Sequence, residues 1–369
     1  MNENRQNLND YILNTSLLEK DELILLLNAK GKEYTKLLRT ASEIKDKHVG
    51  NTVYLRGLIE FSNVCSKNCY YCGIRKSNKN VHRFNLSDEE IISAATFAYQ
   101  HNYGSIVLQS GEIQGEVFTK RIENLIKEMK RISDNKLGIT LSCGEQSEET
   151  YKRWFYAGAH RYLLRIETSN KELYNKIHPA DSLHSFDNRL ECIQLLKKIG
   201  YQIGTGVMIG LPFQSTEDLA DDLLFMKGLD IDMCGMGPFL VHNDTPFAQY
   251  SDRLLPLNER FELTLKMIAL LRIIMPDINI ASTTALQAID KIGREKAIQV
   301  GANILMPNIT PGIYRNNYKL YENKPCTDEN AADCSSCIEI RMKLIGAKIA
   351  YGEWGDSLHF RQKSRNKSV

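Results

Sequence analysis

From residue 51 onwards, short apolar segments alternate with longer segments whose apolar residues recur at helical spacing. Eight such strand–helix units fit between residues 51 and 346, and turn or capping residues separate them. Regular alternation of strands and helices predicts a parallel sheet with helices packed outside it. Eight units favour closure into a full (β/α)8 barrel of the TIM type, so the expected fold class is α/β. An open, doubly wound sheet is the alternative.

The segments on either side of the barrel suggest a simple domain organisation. Residues 1–50 are predicted to form an N-terminal helical extension, because their apolar residues recur at helical spacing. Residues 51–346 are assigned to the barrel, including a C-terminal loop at 307–337 that carries cysteines. Residues 347–369 are assigned to a C-terminal tail, whose basic end at 361–367 is expected to be solvated and frayed.

The charge balance and the cysteine count restrict the partners and the compartment that we expect. The chain has 47 basic and 45 acidic residues, a net charge of +2, which provides no field for binding nucleic acid. Its first residues are polar, and its longest apolar runs are too short to cross a bilayer. Nine cysteines, an odd number, are more typical of reduced thiols in metal or redox chemistry than of disulfides. We therefore expect a cytoplasmic protein with no nucleic-acid or membrane partner.

The strongest chemical signal is a cysteine triplet in the loop after the first predicted strand. Residues 61–78 read FSNVCSKNCYYCGIRKSN and place Cys65, Cys69 and Cys72 in a C-x3-C-x2-C pattern. Soft thiolates are the preferred ligands of clustered iron, so this spacing predicts a 4Fe–4S cluster. Three ligands leave one of four irons open, and catalysis at a metal needs an open position. A structural zinc knuckle is the alternative, but it requires four ligands, and no fourth Cys or His adjoins the triplet.

Polar residues also follow the ends of the other predicted strands. In barrels of this class the active site lies at the C-terminal ends of the strands, so these residues are expected to face one cavity. The polar residues are Ser110, Glu112, Ser142, Arg165, Glu167, Thr283 and Thr284, and Gly111 and Met208 stand at strand ends beside them.

Arg165, Thr283 and Thr284 predict a pocket for an anionic ligand. A buried Arg needs an anionic partner, and two adjacent hydroxyl groups add hydrogen-bond donors. Tyr318 and Tyr321, which recur at near-helical spacing, could line this pocket or simply pack. The alternative for Arg165 is a structural ion pair with a barrel carboxylate such as Glu145.

A second cysteine triplet follows the eighth strand. Cys326, Cys334 and Cys337 form a C-x7-C-x2-C pattern, which predicts a second iron–sulfur cluster of the 2Fe–2S or 4Fe–4S type. Loop thiols without a metal are the alternative. The isolated cysteines at positions 143, 192 and 234 are expected to be small buried residues.

The first triplet, its position after a strand, and the following Tyr71 and Gly73 resemble the radical SAM enzymes. Nearly the whole chain, from about residue 52 to residue 355, further resembles the FeFe-hydrogenase maturases of the HydE family. The matching segments are FSNVCSKNCYYCGIRKSN, IVLQSGE, ITLSCGE, RYLLRIET, GLPFQST, MGPFLVHNDTP, ASTTA, NILMPNITP and the C-x7-C-x2-C loop.

The resemblance implies a full barrel and a 4Fe–4S cluster whose open iron binds S-adenosylmethionine (SAM). One electron from the reduced cluster would then release a 5′-deoxyadenosyl radical. The SAM ligands implied are Tyr71, Gln109, Ser110, Gly111, Glu112, Ser142, Glu167, Arg189 and Met208. The anion pocket implied comprises Arg165, Thr283, Thr284, Tyr318 and Tyr321.

The resemblance also implies a substrate and partners. In this family the substrate is thought to be a cysteine-bound iron carbonyl–cyanide precursor, supplied by a HydG-like maturase and passed on to a HydF-like one. A ferredoxin or flavodoxin would supply the electron. The alternatives are a related radical SAM enzyme, such as methylornithine synthase or biotin synthase, and a non-catalytic iron–sulfur carrier.

Overall fold

A computed structural model describes residues 18–327 and 331–366 of the chain, and for residues 331–336 it describes the backbone alone. Within the described residues, two helices, α1 (Lys20–Leu27) and α2 (Gly31–His48), precede the first strand. They fall in the predicted N-terminal helical extension, whose residues 1–17 lie outside the described residues. Helix α2 buries Leu37 and Ala41, and it packs against the helix at Leu257–Ile274. No helix in the described part of the chain is long and apolar enough to span a bilayer.

The regular elements alternate along the chain as the sequence predicts. The strands are β1 (Thr52–Ser62), β2 (Ser105–Ser110), β3 (Gly138–Ser142), β4 (Arg161–Leu163), β5 (Gln202–Thr205), β6 (Met208–Ile209), β7 (Met233–Cys234), β8 (Gly237–Pro238), β9 (Asn279–Ile280), β10 (Ile304–Leu305) and β11 (Lys348–Ile349). The helices are α1 (Lys20–Leu27), α2 (Gly31–His48), α3 (Asp88–Gln100), α4 (Glu116–Ile132), α5 (Glu148–Ala157), α6 (Lys171–Ile177), α7 (Phe186–Ile199), α8 (Thr216–Gly228), α9 (Leu257–Ile274), α10 (Thr284–Ile289), α11 (Gly293–Val300), α12 (Gly312–Arg315), α13 (Ala331–Leu344) and α14 (Leu358–Asn366).

Eight parallel strands form a closed barrel. They pair in the order β10, β1, β2, β3, β4, β5, β7, β9. The ring closes between β9 and β10, where Asn303 N donates to Ile280 O and Ser282 N donates to Ile304 O, both at 2.9 Å. The prediction of a (β/α)8 barrel is therefore confirmed, and the open doubly wound sheet is excluded. The short pair β6 and β8 prolongs β5 and β7 at their C-terminal ends.

Side-chain alternation along the strands separates the core from the site. On β2, Ile106 and Leu108 are fully buried in the apolar core. Val107 and Gln109 point instead into the barrel interior, because successive side chains of a strand face opposite sides of the sheet. The same alternation on each strand places its last inward residue at the mouth of the barrel.

Several boundaries differ from those that the sequence predicts. The sequence pattern predicts one helix over residues 285–300, but the structure has two, because Asp290 ends the first and its side chain accepts a hydrogen bond from Ile292 N. Helix α6 was not predicted, although Asn170 caps it by accepting from two backbone N–H groups. Ser87 followed three residues later by Glu90 predicts a capping box at the start of a helix, and the structure confirms both of its hydrogen bonds.

The C-terminal segment covers the base of the barrel and is not frayed as far as residue 366. Strand β11 pairs with the start of β1, and Arg161 donates to Trp354 O and to the Asp356 carboxylate at 2.8 and 2.7 Å. On α14, Lys363 pairs with Asp230 at 3.0 Å and with Asp232 at 2.7 Å. Lys363 is therefore held by carboxylates, whereas Arg361 and Arg365 are exposed, so most of this basic end is solvated as expected although it is helical as far as residue 366.

Replacing Gly104 with Ala is expected to lower the free energy of unfolding by about 1–3 kcal/mol, the usual cost of overpacking. A Cβ atom at this position would lie 1.8 Å from Glu353 O, which is backbone and cannot move without displacing the C-terminal segment. Urea unfolding would measure the loss. Gly228→Ala is the matched control, because no atom lies within 4 Å of the added methyl group. Equal midpoints for the two variants would contradict the close contact between Gly104 and the C-terminal segment.

Candidate active site

A cavity of about 340 Å³ opens at the C-terminal ends of the strands. Eighteen residues selected from the sequence line it together: Cys65, Cys69, Tyr71, Cys72, Gln109, Ser110, Gly111, Glu112, Ser142, Arg165, Glu167, Arg189, Met208, Thr283, Thr284, Tyr318, Tyr321 and Cys326. The strand ends therefore converge, as expected for a barrel of this class.

The cysteine loop is held against the turn that follows β2. Gly111 N donates to Ser62 O at 2.8 Å, and Glu112 N donates to the Cys65 Sγ at 3.3 Å. A Cβ atom at position 111 would lie 2.3 Å from Val64 O. Only glycine permits this approach, so Gly111 fixes the distance between the loop and the Glu112 carboxylate.

Burial keeps the three thiols protonated when no metal is bound. It raises the pKa of Cys69 to about 12, an effect that the nearby Arg189 opposes. Burial also raises the pKa of Cys72 well above its usual range, and the pKa of Cys65 to a smaller extent. Iron binds the thiolate, so cluster assembly must displace these protons and should be favoured by rising pH.

In the described residues, the thiols are not arranged as the ligands of a single zinc ion would be. Within residues 18–327 and 337–366, no three His, Cys, Asp or Glu side chains are placed to hold one metal ion. A cluster makes a different demand, since each thiolate binds a separate iron. The three half-buried thiols on one cavity wall fit that demand.

Four buried charges form a neutral group beside the cysteine loop. Lys67 lies 3.1 Å from Glu112 and 2.9 Å from Glu145, and Arg189 Nε lies 2.5 Å from Glu145. Arg189 Nη2 is 3.6 Å from Glu112. Burial raises the pKa of Glu112, whereas Arg189 and Lys67 outweigh burial at Glu145 and lower its pKa. Lys67 gave no signal in the sequence except its position inside the cysteine triplet.

Arg165 pairs with Glu167 and not with Glu145. Its Nη2 lies 2.9 Å from the Glu167 carboxylate and donates to Val207 O at 3.0 Å. Glu167 adopts a left-handed backbone conformation with φ of +68°, which is uncommon outside glycine and frequent at functional sites. Arg165 therefore makes an ion pair with a barrel carboxylate, as the alternative interpretation expected, but the partner is Glu167 and not Glu145, which Arg189 and Lys67 already neutralise.

The far end of the cavity is polar and partly unsatisfied. Thr284 Oγ1 and the Tyr321 hydroxyl are 2.9 Å apart, and Gln109 donates to the Tyr318 hydroxyl at 3.3 Å. Among the residues that the structure describes, Thr283 Oγ1 and Arg165 Nε are buried without a hydrogen-bond partner. Such groups are costly unless a ligand or water satisfies them, so this end of the cavity fits a polar ligand.

Sequence reasoning also missed a buried ion pair in the cavity. Glu60, at the end of β1, pairs with Lys324 at 2.5 Å and accepts from Asn308 at 2.9 Å. All three residues line the cavity. The available signal was a carboxylate within the otherwise apolar end of β1, which requires a buried cation.

The second cysteine triplet is only partly described. Cys326 lies on the wall of the cavity with φ of +63°, and Cys337 lies half-buried on α13. The side chain of Cys334 lies outside the described residues. The isolated cysteines at 143, 192 and 234 are buried, as predicted.

Comparisons with known proteins bear on the chemistry of this cavity. Residues 59–226 match the model of the Radical SAM superfamily. The sequence is 46% identical to the FeFe hydrogenase maturase subunit HydE of Thermotoga maritima over 322 residues, which cover 86% of this chain and 88% of the relative. It is 27% identical to 3-methylornithine synthase of Methanosarcina barkeri over 349 residues, 93% of each chain.

Two of the solved structures that share this fold are methylornithine synthase (PylB) and the FeFe-hydrogenase maturase HydG. The crystal structure of methylornithine synthase (PylB) matches with a TM-score of 0.78 at 26% identity, over 94% of this chain and 98% of that one. The FeFe-hydrogenase maturase HydG from Carboxydothermus hydrogenoformans matches with a TM-score of 0.79 at 20% identity, over 95% and 81%. At 20% identity, the match with HydG shows only that the two proteins share a fold.

Proposed function

Because the chain belongs to the radical SAM superfamily and, within it, to the HydE family of FeFe-hydrogenase maturases, we propose that its barrel cavity is the site of SAM cleavage. The chain is a radical SAM enzyme with a role in FeFe-hydrogenase maturation, and superfamily membership implies a 4Fe–4S cluster and SAM. The observation that carries the assignment of the site is that three thiols and three members of the buried charge group, Lys67, Glu112 and Arg189, line one cavity.

Different residues of the cavity would bind the 4Fe–4S cluster and the different groups of SAM. When bound, the reduced cluster and SAM supply a 5′-deoxyadenosyl radical. Cys65, Cys69 and Cys72 would hold three irons and leave the fourth open. Glu112 would accept hydrogen bonds from the methionine ammonium group, and Arg189 would face the methionine carboxylate, since a guanidinium suits a carboxylate. The remaining ligands proposed for SAM are Tyr71, Gln109, Ser110, Gly111, Ser142, Glu167 and Met208.

Glu167 is the residue that we propose for the ribose hydroxyls. Its left-handed backbone is fixed on both sides, because its N–H donates to Gly206 O at 3.0 Å and its carbonyl accepts from Met208 N at 2.9 Å. A carboxylate held in this way needs no rearrangement to accept two hydroxyl hydrogen bonds.

We propose a sulfur-containing iron carbonyl–cyanide precursor as the substrate. The pocket of Arg165, Thr283, Thr284, Tyr318 and Tyr321 would receive its anionic groups, and the buried, unpartnered Thr283 Oγ1 and Arg165 Nε support this assignment. A HydG-like maturase would supply the precursor, a HydF-like maturase would receive the product, and a ferredoxin or flavodoxin would supply electrons.

An anaerobic maturation assay tests this function. Purified chain, HydG-like and HydF-like proteins and unmatured hydrogenase are combined, and hydrogen production is measured. We expect hydrogenase activity only when this chain is present. A Thr283→Val/Thr284→Val variant should retain SAM cleavage but lose most of the activation. Full activation by a mixture that lacks the chain would overturn the proposed function.

We further infer that Cys326, Cys334 and Cys337 bind a second iron–sulfur cluster, of the 2Fe–2S or 4Fe–4S type. The sequence spacing supports this inference, and so does the half-buried position of Cys326 and Cys337. Thiols in such positions usually have a chemical role.

The variant Cys334→Ala is expected to lower the iron content of the reconstituted protein by about 2–4 atoms per chain, the content of one cluster. SAM cleavage should stay within about twofold of the wild type, because the first triplet alone holds the cluster that binds SAM. Iron and sulfide analysis with a 5′-deoxyadenosine assay measures both. Ser335→Ala is the control and should keep all of its iron. Unchanged iron in Cys334→Ala would contradict the second cluster.

A further inference from the structure

An exposed aromatic ring with two cations beside it lies near the cysteine loop. Phe213, in the loop after β6, is 45% exposed and has φ of +70°, which is rare for a bulky side chain. The charged groups of Lys176 and Arg253 each lie 5.7 Å from its ring centroid. Tyr250 packs against the ring edge-to-face at 5.1 Å. We name these four residues the Phe213 patch.

In the part of the chain that the structure describes, the two cations of the patch have no carboxylate partner. Within the described residues, the side chains of Lys176 and Arg253 are exposed and contact aromatic rings, but they make neither an ion pair nor a hydrogen bond. Most of the cations near the cavity, such as Lys67 and Lys324, are paired with carboxylates. An exposed aromatic ring with Arg beside it is typical of binding hot spots. Unpaired positive charge around the ring favours an acidic partner.

A row of aromatic rings connects the patch to the cysteine loop. The ring of Tyr250 lies 5.4 Å from that of Phe247, which lies 6.5 Å from the ring of Tyr70. Tyr70 directly follows Cys69 in the sequence. The backbone is joined as well, because Phe247 N donates to Tyr70 O and Tyr70 N donates to Ile177 O, at 3.2 and 3.0 Å. Ile177 follows Lys176, so the patch is built directly on the outer side of the loop.

A further cation extends the positive character to the loop itself. The Arg75 guanidinium lies 5.9 Å from the Tyr70 ring centroid, so both ends of the row of rings have a cation over them. The whole chain carries a net charge of only +2. Attraction of an acidic partner to this face would therefore depend on local charge and not on the overall field.

We propose that the Phe213 patch is the docking surface for the small acidic protein that reduces the cluster, an inference that rests on the function proposed above. The donor loses one electron, the cluster held by Cys65, Cys69 and Cys72 gains one, and no atom is transferred. Electron tunnelling slows steeply with distance, so the donor must bind close to the loop. The exposed ring supplies the apolar centre of the contact, and Lys176 and Arg253 supply its charged rim.

The test measures reduction of the cluster by two reductants. Stopped-flow absorbance follows the oxidised cluster after mixing with reduced ferredoxin or with dithionite, a small reductant that needs no docking surface. For Lys176→Glu/Arg253→Glu and for Phe213→Ala, we expect the second-order rate with ferredoxin to fall at least about tenfold and its salt dependence to weaken. Calorimetry should show a matching loss of ferredoxin affinity. The dithionite rate should stay within about twofold of the wild type.

Two matched variants complete the design. Lys120→Glu reverses one charge at an exposed position of α4, outside the patch, and should leave the ferredoxin rate unchanged, whereas Arg253→Glu alone should lower it. Phe213→Tyr keeps the ring and should restore the rate lost in Phe213→Ala. Wild-type ferredoxin rates in the charge-reversal variant would overturn the docking surface. Failure of dithionite-reduced wild-type protein to cleave SAM would instead overturn the function on which the inference rests.

Discussion

Replacing Cys69 with Ala is expected to abolish formation of 5′-deoxyadenosine from SAM. Two thiolates cannot hold a cluster that needs three protein ligands, and the Ala methyl group has no lone pair to offer. We expect a loss of about a thousandfold or more, equivalent to about 4 kcal/mol of transition-state stabilisation. The measurement is anaerobic reconstitution, reduction with dithionite and quantification of 5′-deoxyadenosine and bound iron.

The control for Cys69→Ala is a second buried thiol outside the cavity. Cys192 lies on α7, and its Sγ donates weakly to Gln146 O at 3.8 Å. Cys192→Ala should therefore keep its iron and its SAM cleavage. If Cys69→Ala still cleaved SAM at the wild-type rate with a loaded, reduced cluster, the assignment of the first triplet would be wrong.

Replacing Arg189 with Met is expected to lower the free energy of unfolding by about 3–5 kcal/mol, the usual cost of removing one partner of a buried ion pair. The variant leaves Glu112 and Glu145 facing Lys67 alone, so one buried carboxylate lacks a counter-charge. SAM binding should be lost as well, because its carboxylate would face that uncompensated charge. Urea unfolding and equilibrium dialysis with labelled SAM measure the two effects.

A second substitution distinguishes charge balance from lost packing. Glu145→Gln in the Arg189→Met background removes the excess carboxylate, so the double variant should regain at least about 2 kcal/mol of stability. Arg153→Met is the surface control, since Arg153 pairs with Glu116 and Glu123 where water screens the charges, and it should cost less than about 1 kcal/mol. Additive losses in the double variant would contradict the coupled charge group.

Local signals in the sequence predict much of the fold and of the cysteine loop. The capping box at Ser87, the apolar strands and the glycine at position 111 each reflect a requirement that acts within a few residues. The convergence of strand ends follows from the barrel itself. The sequence alone therefore assigns residues as distant as Cys65 and Thr284 to one cavity.

The choice of partners among buried charges could not be predicted in this way. Glu145 and Glu167 follow neighbouring strands, and either could have faced Arg165. The left-handed turn at Glu167 and the approach of Lys67 decide the pairing, and both depend on packing in three dimensions. The packing of residues 353–357 against the base of the barrel could not be predicted either, for a related reason. It relies on backbone carbonyls of Trp354 and Gly355, which leave no pattern in the sequence.

The pairing of β1 has a consequence for how the chain is made. One edge of this strand binds β2, but the other edge binds β10 and β11, which lie roughly 240 to 300 residues further along. During translation β1 leaves the ribosome before β10 and β11. At ordinary elongation rates its second edge therefore stays unpaired for about 12 seconds or longer. An open edge of an apolar strand is a site for pairing with other chains. Newly made protein should therefore need protection at β1 until the last strands emerge, and truncation before residue 348 should favour aggregation over a shortened barrel.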